Sequence, residues 1–314
     1  MDTHELLGRI TRLPIVADGL SEDILAGNFR SVFKGQGMEF DEARHYQWGD
    51  DARSIDWNAS ARLGTPFVKM FREERELTIL LLLDTSASMH GGLANLWGNV
   101  QPDTDEKQTF SPFEQALIAA ALIAFSAERS GQRVGAFLFD REIERVFPPR
   151  KGRHNILAFV SGALQCHRPE ARQNPLSRGE YTSNLRSAIA GAGRMLKRRS
   201  MVALISDFYS TGWEQELGSL CGRHDVIAIR VSDPLSENLP DLGLITMRDP
   251  ETGLQVAAPT GSTSFQDAWS QWHRDRADLW QNLCRRAGAA HLELPVNADA
   301  VAALTRFFGG RSGR

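Results

Sequence analysis

The chain has 314 residues, of which 42% are hydrophobic and 24% are charged, so it is long enough for one sizeable core and a smaller satellite unit. Its 36 basic and 39 acidic side chains nearly balance, which excludes a general affinity for nucleic acid or for an anionic membrane surface.

The cysteines and the start of the chain indicate a cytoplasmic protein. Cys166, Cys221 and Cys284 lack the spacing of a zinc or redox motif and are predicted to be small core residues. Residues 1–10 contain no apolar signal core, and the apolar run 116–125 is too short to cross a bilayer. We therefore expect a reducing compartment, a cytoplasmic location and no transmembrane segment.

Residues 1–76 are predicted to form an N-terminal helix and a small β subdomain. Within them, residues 35–58 combine aromatic side chains densely with charges of both signs. Opposite charges so closely spaced predict partly buried ion pairs around Trp48 and Trp57. The charged residues concerned are Arg44, Asp50, Asp51, Arg53, Asp56 and Arg62.

From residue 77 onward, apolar runs alternate with helical patterns. Strands are predicted over 77–83, 133–139, 143–147, 201–206, 225–231 and 290–294. Helices are predicted over 111–130, 153–166, 183–197, 213–221, 269–288 and 297–308. This alternation predicts a doubly wound α/β domain, residues 77–314, with a mostly parallel sheet and one antiparallel edge strand at 143–147.

One region, residues 233–268, interrupts this alternation. It is rich in proline, glycine and aspartate, and a turn separates apolar runs at 244–248 and 254–258, which predicts a hairpin insertion. In the helix that follows, large apolar residues recur at helical spacing and predict a buried face. These residues are Trp269, Trp272, Leu279, Trp280 and Leu283.

Basic residues are dense between positions 168 and 199. They predict either a solvated face or a contact surface for an acidic protein partner. The residues are Arg168, Arg172, Arg178, Arg186, Arg194, Lys197, Arg198 and Arg199.

The most informative segment is the apolar run 77–83, which is followed by a carboxylate and two alternately spaced hydroxyls. In open α/β sheets, ligands gather just beyond the carboxyl ends of the strands. A second apolar strand, 201–206, also ends in a carboxylate, and a threonine precedes the helix predicted from 183. Such hard oxygen donors suit magnesium. The sequence therefore predicts one divalent metal site with the donors Asp84, Ser86, Ser88, Thr182 and Asp207.

This Asp-x-Ser-x-Ser, Thr and Asp set resembles the metal-ion-dependent adhesion site (MIDAS) of von Willebrand factor A domains. The resemblance implies that Ser86 and Ser88 bind the metal directly, and that Thr182 does so when a partner is bound. It implies that Asp84 and Asp207 act mainly through water molecules. The metal is expected to be magnesium, with manganese or calcium as alternatives, and an Asp or Glu carboxylate of a partner would complete its coordination.

Residues 35–64, together with 71–76, closely resemble the bacterial domain-of-unknown-function family 58, and the resemblance covers nearly the whole chain. Members of that family look like von Willebrand factor A-type proteins encoded beside MoxR-type AAA+ ATPases. The resemblance implies a metal-dependent protein-binding adaptor without enzymatic turnover. Its expected partners are a MoxR-type ATPase and a client protein presenting Asp or Glu, in protein maturation or complex assembly.

Other interpretations of the strand-end residues stay open. Asp84 could be the nucleophile of a magnesium-dependent phosphatase-like enzyme, although position 86 is serine where such enzymes carry a second carboxylate. The same residues could instead be helix caps, since Ser, Thr and Asp are common before helices. A vestigial site is a further alternative, with the protein acting through its N-terminal subdomain alone.

Overall fold

The computed structural model describes residues 39–48, 50, 55–72, 77–91, 110–166, 184–249 and 254–309. These residues fall into two compact units, one ending before Leu77 and the other beginning there. The first unit pairs two antiparallel strands and includes one short helix. Its elements are β1 (Glu39–His45), α1 (Trp57–Leu63) and β2 (Phe67–Arg72).

The predicted ion pairs of the first unit are present in part. Arg44 and Asp50 form a bidentate pair with nitrogen to oxygen distances of 2.6 and 2.8 Å, and the hydrogen bond from Arg44 lowers the pKa of the Asp50 carboxyl. Asp56 caps α1 by accepting hydrogen bonds from the backbone N–H groups of residues 58 and 59. Asp51 and Arg53 lie outside the described residues.

The two tryptophans of this unit are exposed. Trp48 lies almost entirely in solvent, and Trp57 is largely exposed at the start of α1. Helix α1, which begins with Trp57, has no buried residue. The partly buried pair of Arg44 and Asp50 is present, but the prediction that such pairs surround Trp48 and Trp57 is wrong.

The second unit contains eight strands and eight helices among its described residues. Its strands are β3 (Thr78–Asp84), β4 (Arg133–Phe139), β5 (Ile143–Arg150), β6 (Met201–Ser206), β7 (Asp225–Ser232), β8 (Leu244–Arg248), β9 (Gln255–Pro259) and β10 (Ala290–Pro295). Its helices are α2 (Ala87–His90), α3 (Pro112–Arg129), α4 (Arg153–Cys166), α5 (Leu185–Met195), α6 (Glu214–Cys221), α7 (Pro234–Glu237), α8 (Thr263–Ala287) and α9 (Ala300–Gly309).

Six strands form one sheet in the order β10-β7-β6-β3-β4-β5. All neighbours are parallel except β4 and β5, so β5 is an antiparallel edge strand. The α/β class, the mostly parallel sheet and the single antiparallel edge strand were all expected of a von Willebrand factor A-like fold. These sequence predictions are confirmed.

The central strands are buried because helices cover both faces of the sheet. From Ile79 onward, every residue of β3 is buried, and β6 is buried throughout. The almost wholly buried helix α3 packs on one face, where a capping box between Ser111 and Glu114 fixes its start. On the other face, side chains of α5, α6 and α8 surround Leu80 and Leu82 of β3. A polar residue at the end of either strand is therefore placed in the interior of the protein.

The predicted hairpin is present as β8 and β9, which pair antiparallel. Helix α8 begins at Thr263, six residues before its predicted start at 269. Helix α9 begins at Ala300 instead of 297, because Asp299 accepts hydrogen bonds from two backbone N–H groups of its first turn. None of the helices within the described ranges combines the length and apolarity needed to cross a membrane.

Candidate metal site

Asp84 is the last residue of β3 and is fully buried. The backbone N–H of Ser86 donates to its Oδ1 at 2.9 Å. The hydroxyl of Ser206, at the end of the neighbouring strand β6, donates to its Oδ2 at 2.6 Å. Two strand ends and one turn thus hold this carboxylate in a fixed orientation.

Ser86 is the N-cap residue of α2, and Ser88 lies in the first turn of that helix. Their hydroxyl oxygens are 3.0 Å apart. The hydroxyl of Thr85, between Asp84 and Ser86, lies instead 3.0 Å from both the Phe139 carbonyl oxygen and Oε2 of Glu144 on β5. The two serine hydroxyls of the motif therefore point toward each other, whereas the hydroxyl of Thr85, which precedes them, points toward β4 and β5.

Asp207 follows β6 directly and is 7% exposed. Its Oδ1 accepts a hydrogen bond from the Tyr209 backbone N–H at 3.0 Å, whereas its Oδ2 is buried and has no hydrogen-bond partner among the described residues. Between these two residues, Phe208 adopts a φ of 57°, in the left-handed region that non-glycine residues rarely occupy. The chain therefore adopts an unfavourable backbone conformation beside this carboxylate.

Burial governs the charge of both carboxyl groups. Burial, together with the charge of Asp207, raises the pKa of Asp84 to about 7, although the hydrogen bonds from Ser206 and Ser86 act to lower it. Burial also raises the pKa of Asp207. The Ser88 hydroxyl, the Tyr209 N–H and the positive charges of two arginines oppose that second shift. Two ionised carboxylates in such a place are costly without a compensating positive charge.

Four of the five predicted donors are brought together at this edge of the sheet. Asp84 contacts Ser86, Ser86 contacts Ser88, and the Ser88 hydroxyl lies near enough to Asp207 to lower its pKa. The fifth, Thr182, lies outside the described residues. That these residues bind a metal stays a prediction.

The donors that are present fit a hard divalent cation. Within the described ranges, no group of three or more His, Cys, Asp or Glu side chains could hold a metal ion, so a cation here would need the serine hydroxyls as well as the two carboxylates. The buried Oδ2 of Asp207 is available to accept from a water molecule or to contact a cation. Magnesium accepts such a mixed set because it keeps several water ligands.

Sequence reasoning missed two residues that shape this site. Ser206 binds Asp84, and its only signal was its position one residue before Asp207. Arg276, on α8, donates to the carbonyl oxygens of Phe208 and Tyr209 at 3.3 and 2.9 Å. Arg276 carries no local signal, because the residues that it contacts lie far away in sequence.

An aromatic surface adjoins the Asp207 turn. The rings of Tyr209 and Trp272 are nearly parallel with centroids 6.3 Å apart, and Trp269 lies 6.0 Å beyond Trp272. The guanidinium of Arg276 lies over both of the first two rings, at 4.9 and 5.0 Å from their centroids. We refer to Tyr209, Trp269, Trp272 and Arg276 as the aromatic rim.

The prediction that the large apolar residues of this helix form one buried face is wrong in part. Trp280 is buried as expected, but Trp272 is 47% exposed and Leu279 is also exposed. Helix α8 buries only the narrow stripe of His273, Trp280 and Cys284. Residues at helical spacing just outside that stripe therefore remain in contact with solvent.

Residues 42–278 match the family model described as protein of unknown function DUF58. The chain belongs to the DUF58 family. The family resemblance inferred from sequence is thereby confirmed. This DUF58 protein is 30% identical to an uncharacterized protein of Mycobacterium tuberculosis over 315 residues, which is 99% of this chain and 91% of the relative. An uncharacterized protein of Mycobacterium avium is 34% identical over 165 residues, which is 52% of this chain and 92% of the relative.

Two solved structures resemble this DUF58 protein at low sequence identity. An aerotolerance-related membrane protein from Bacteroides fragilis is 16% identical with a TM-score of 0.43, over 74% of this chain and 99% of that chain. The VWA domain of SpRpn10 is 11% identical with a TM-score of 0.37, over 74% and 95% of the two chains. The fold assignment rests on the strand order of the sheet described above.

Proposed function

We propose that this DUF58 protein is a metal-dependent protein-binding adaptor. The predicted donors Asp84, Ser86, Ser88, Thr182 and Asp207 would hold a divalent cation, most simply magnesium. The cation would supply a positive centre to which an Asp or Glu carboxylate of a partner protein could bind. The observation that carries this proposal is the buried Oδ2 of Asp207, which lacks a hydrogen-bond partner among the described residues beside a second buried carboxylate.

The protein side chains favour binding over turnover. Both oxygens of Asp84 accept hydrogen bonds, and its side chain is fully buried, so it is poorly placed to attack a substrate. Position 86 carries a hydroxyl that contacts Ser88, where a phosphatase of this type would need an acid and base. The phosphatase-like alternative therefore has less support than the adaptor.

The aromatic rim supports a protein as the ligand. Tyr209 and Trp272 are partly exposed next to the turn that carries Asp207, and Arg276 lies over both rings. Exposed aromatic and arginine side chains are enriched where proteins bind one another. Residues that flank the acidic side chain of a partner would contact this rim.

The identity of the partner rests on the family resemblance. We propose that the adaptor acts in the cytoplasm with a MoxR-type AAA+ ATPase and a client protein, in protein maturation or complex assembly. A near balance of charge gives no reason to include nucleic acid among its ligands.

The test is isothermal titration of the full chain with magnesium, followed by binding to the purified MoxR-type ATPase with magnesium or with chelator. We expect wild type to bind both, and the Asp84→Ala, Thr182→Ala and double Ser86→Ala/Ser88→Ala variants to bind neither. A matched control is Ser262→Ala/Ser264→Ala, because those hydroxyls are also 3.0 Å apart in a Ser-x-Ser sequence near a helix start. Equal ATPase binding with and without chelator would remove the metal from the mechanism.

A second experiment addresses the phosphatase-like alternative. Wild type and Asp84→Asn are assayed with a generic phosphomonoester and magnesium. We expect no turnover from either protein. Activity in wild type that is lost in Asp84→Asn would favour the covalent mechanism over the adaptor.

A further inference from the structure

A second concave site lies at the opposite edge of the sheet from the candidate metal site. It is a cavity of about 460 Å³ between the end of α5 and the turns that precede β6 and β7. Since β6 has six residues, about 20 Å of strand separates this cavity from Asp207. We name it the basic pocket. The side chains that matter here are Arg194, Lys197, Arg198, Arg199, Arg223 and His224.

The basic pocket has more positive charge than its described surroundings neutralise. Arg199 is paired with Asp225 at 2.7 Å, and Arg223 donates to the Gly193 carbonyl oxygen at 3.2 Å. Within the part of the chain that the structure describes, Lys197 and Arg198 have no acidic partner, and both are exposed. Several cations around one cavity create a positive potential that attracts an anion.

His224 adds an independent observation. It is only 4% exposed, and neither ring nitrogen has a hydrogen-bond partner among the described residues. Burial, together with the nearby charge of Arg223, lowers the pKa of this imidazole and so favours the neutral ring, which carries one N–H donor. A buried donor without an acceptor is unfavourable, and a ligand oxygen in the cavity would relieve it.

An ordinary structural role explains only part of this arrangement. Helices α5 and α6 both end here, and cations near a helix carboxyl end interact favourably with its dipole. That accounts for Arg194 and for Arg223, which satisfies a carbonyl of α5. It does not require Lys197 and Arg198 to line one cavity with the other cations, and it does not account for the buried imidazole of His224.

We propose that the basic pocket binds a small ligand that carries a pyrophosphate group. Its volume falls in the range of small-molecule sites. Guanidinium groups pair with phosphate oxygens in a bidentate manner, and several cations match an anion with more than one charge. We expect the imidazole of His224, which lines the cavity, to donate one further hydrogen bond to the bound group. This site is independent of the metal-dependent function proposed above.

The test is isothermal titration of the full chain with inorganic pyrophosphate in buffer that contains chelator, so that the candidate metal site does not contribute. We expect wild type to bind, and Lys197→Gln/Arg198→Gln to bind about tenfold more weakly or worse. The matched control is Arg274→Gln/Arg286→Gln, which removes the same charge from exposed positions on α8 and should leave affinity unchanged.

His224→Phe separates a built site from general attraction to positive charge. It removes the N–H donor without changing the net charge, so we expect weaker pyrophosphate binding at an unchanged dependence on salt concentration. The proposal is overturned if wild type does not bind, if both double variants weaken binding equally, or if His224→Phe, folded as judged by circular dichroism, binds like wild type. Binding of an acidic peptide in place of pyrophosphate would also overturn it.

Discussion

The hydroxyl of Ser206 donates a hydrogen bond to Oδ2 of Asp84 at 2.6 Å, and its oxygen accepts one from the Phe208 backbone N–H at 3.0 Å. One small side chain at the end of β6 thereby links the buried carboxylate of β3 to the turn that presents Asp207. The position of one carboxylate relative to the other therefore depends on both β3 and β6.

Replacing Ser206 with alanine should destabilise the protein noticeably. The variant removes a donor from a buried carboxylate and leaves the Phe208 N–H without its acceptor, which should cost about 2 kcal/mol of unfolding free energy. Urea unfolding at pH 7 measures this loss. The control is Ser200→Ala before β6, where the hydroxyl donates to the neutral Arg198 carbonyl and should be worth about 1 kcal/mol. Equal losses of unfolding free energy in the two variants would show that the charge of Asp84 does not strengthen its hydrogen bond with Ser206.

Stability without metal should fall as pH rises from about 4 to 7. In the folded protein the pKa of Asp84 is about 7, whereas an Asp in the unfolded chain ionises near its ordinary pKa of 3.8. Between these values the folded state holds a proton that the unfolded state has released, so raising the pH favours unfolding. Above pH 7 the loss of stability caused by ionised Asp84 is complete. Below pH 3.8, the pKa of this group in the unfolded chain, the loss is absent.

This pH effect is measured by urea unfolding in chelator at several pH values, with Asp84→Asn as the comparison. The stability of Asp84→Asn relative to wild type should increase with pH, because asparagine does not ionise. Magnesium should reduce the pH dependence of wild type and leave that of the variant unchanged. Parallel pH profiles for the two metal-free proteins would show that Asp84 has an ordinary pKa.

Glycine should be a better replacement than alanine at Phe208. Both substitutions remove a ring that packs against Trp213 and Trp280, but only glycine adopts a φ of 57° without steric cost. Phe208→Gly should therefore be about 1 kcal/mol more stable than Phe208→Ala in thermal or urea unfolding. At Phe137, in strand β4 of the same core, the order should reverse. The same order at both positions would argue against backbone strain at Phe208.

Trp272→Ala should weaken binding of the protein partner without disturbing the fold. Because this side chain is half exposed, we expect little change in melting temperature or in magnesium affinity, and about tenfold weaker binding of the MoxR-type ATPase or client. Val146→Ala is the control, since this valine is equally exposed on the edge strand β5. A partner affinity unaffected by Trp272→Ala would exclude the aromatic rim from the interface.

The central strands are predictable because both of their faces are buried. The runs that end at Asp84 and Ser206 are almost continuously apolar, and their observed bounds lie within one residue of the predicted ones. Strand β5 extends to Arg150 instead of 147, since an edge strand tolerates Pro148 and Pro149 where a central strand would not. The start of α8 was also missed, because residues 263–268 carry few apolar side chains.

The apolar runs and the polar residues after them were enough to predict that the residues following β3 and β6 meet at one edge, because adjacent parallel strands end on the same side of a sheet. Which distant side chains join them depends on long-range packing. Arg276 reaches the Asp207 turn, and Trp272 lies beside Tyr209, because of how α8 packs on the sheet. Local periodicity indicates that a helix has a buried stripe. The elements that this stripe contacts depend on packing between segments far apart in the chain, and so do the residues that remain exposed at its margin.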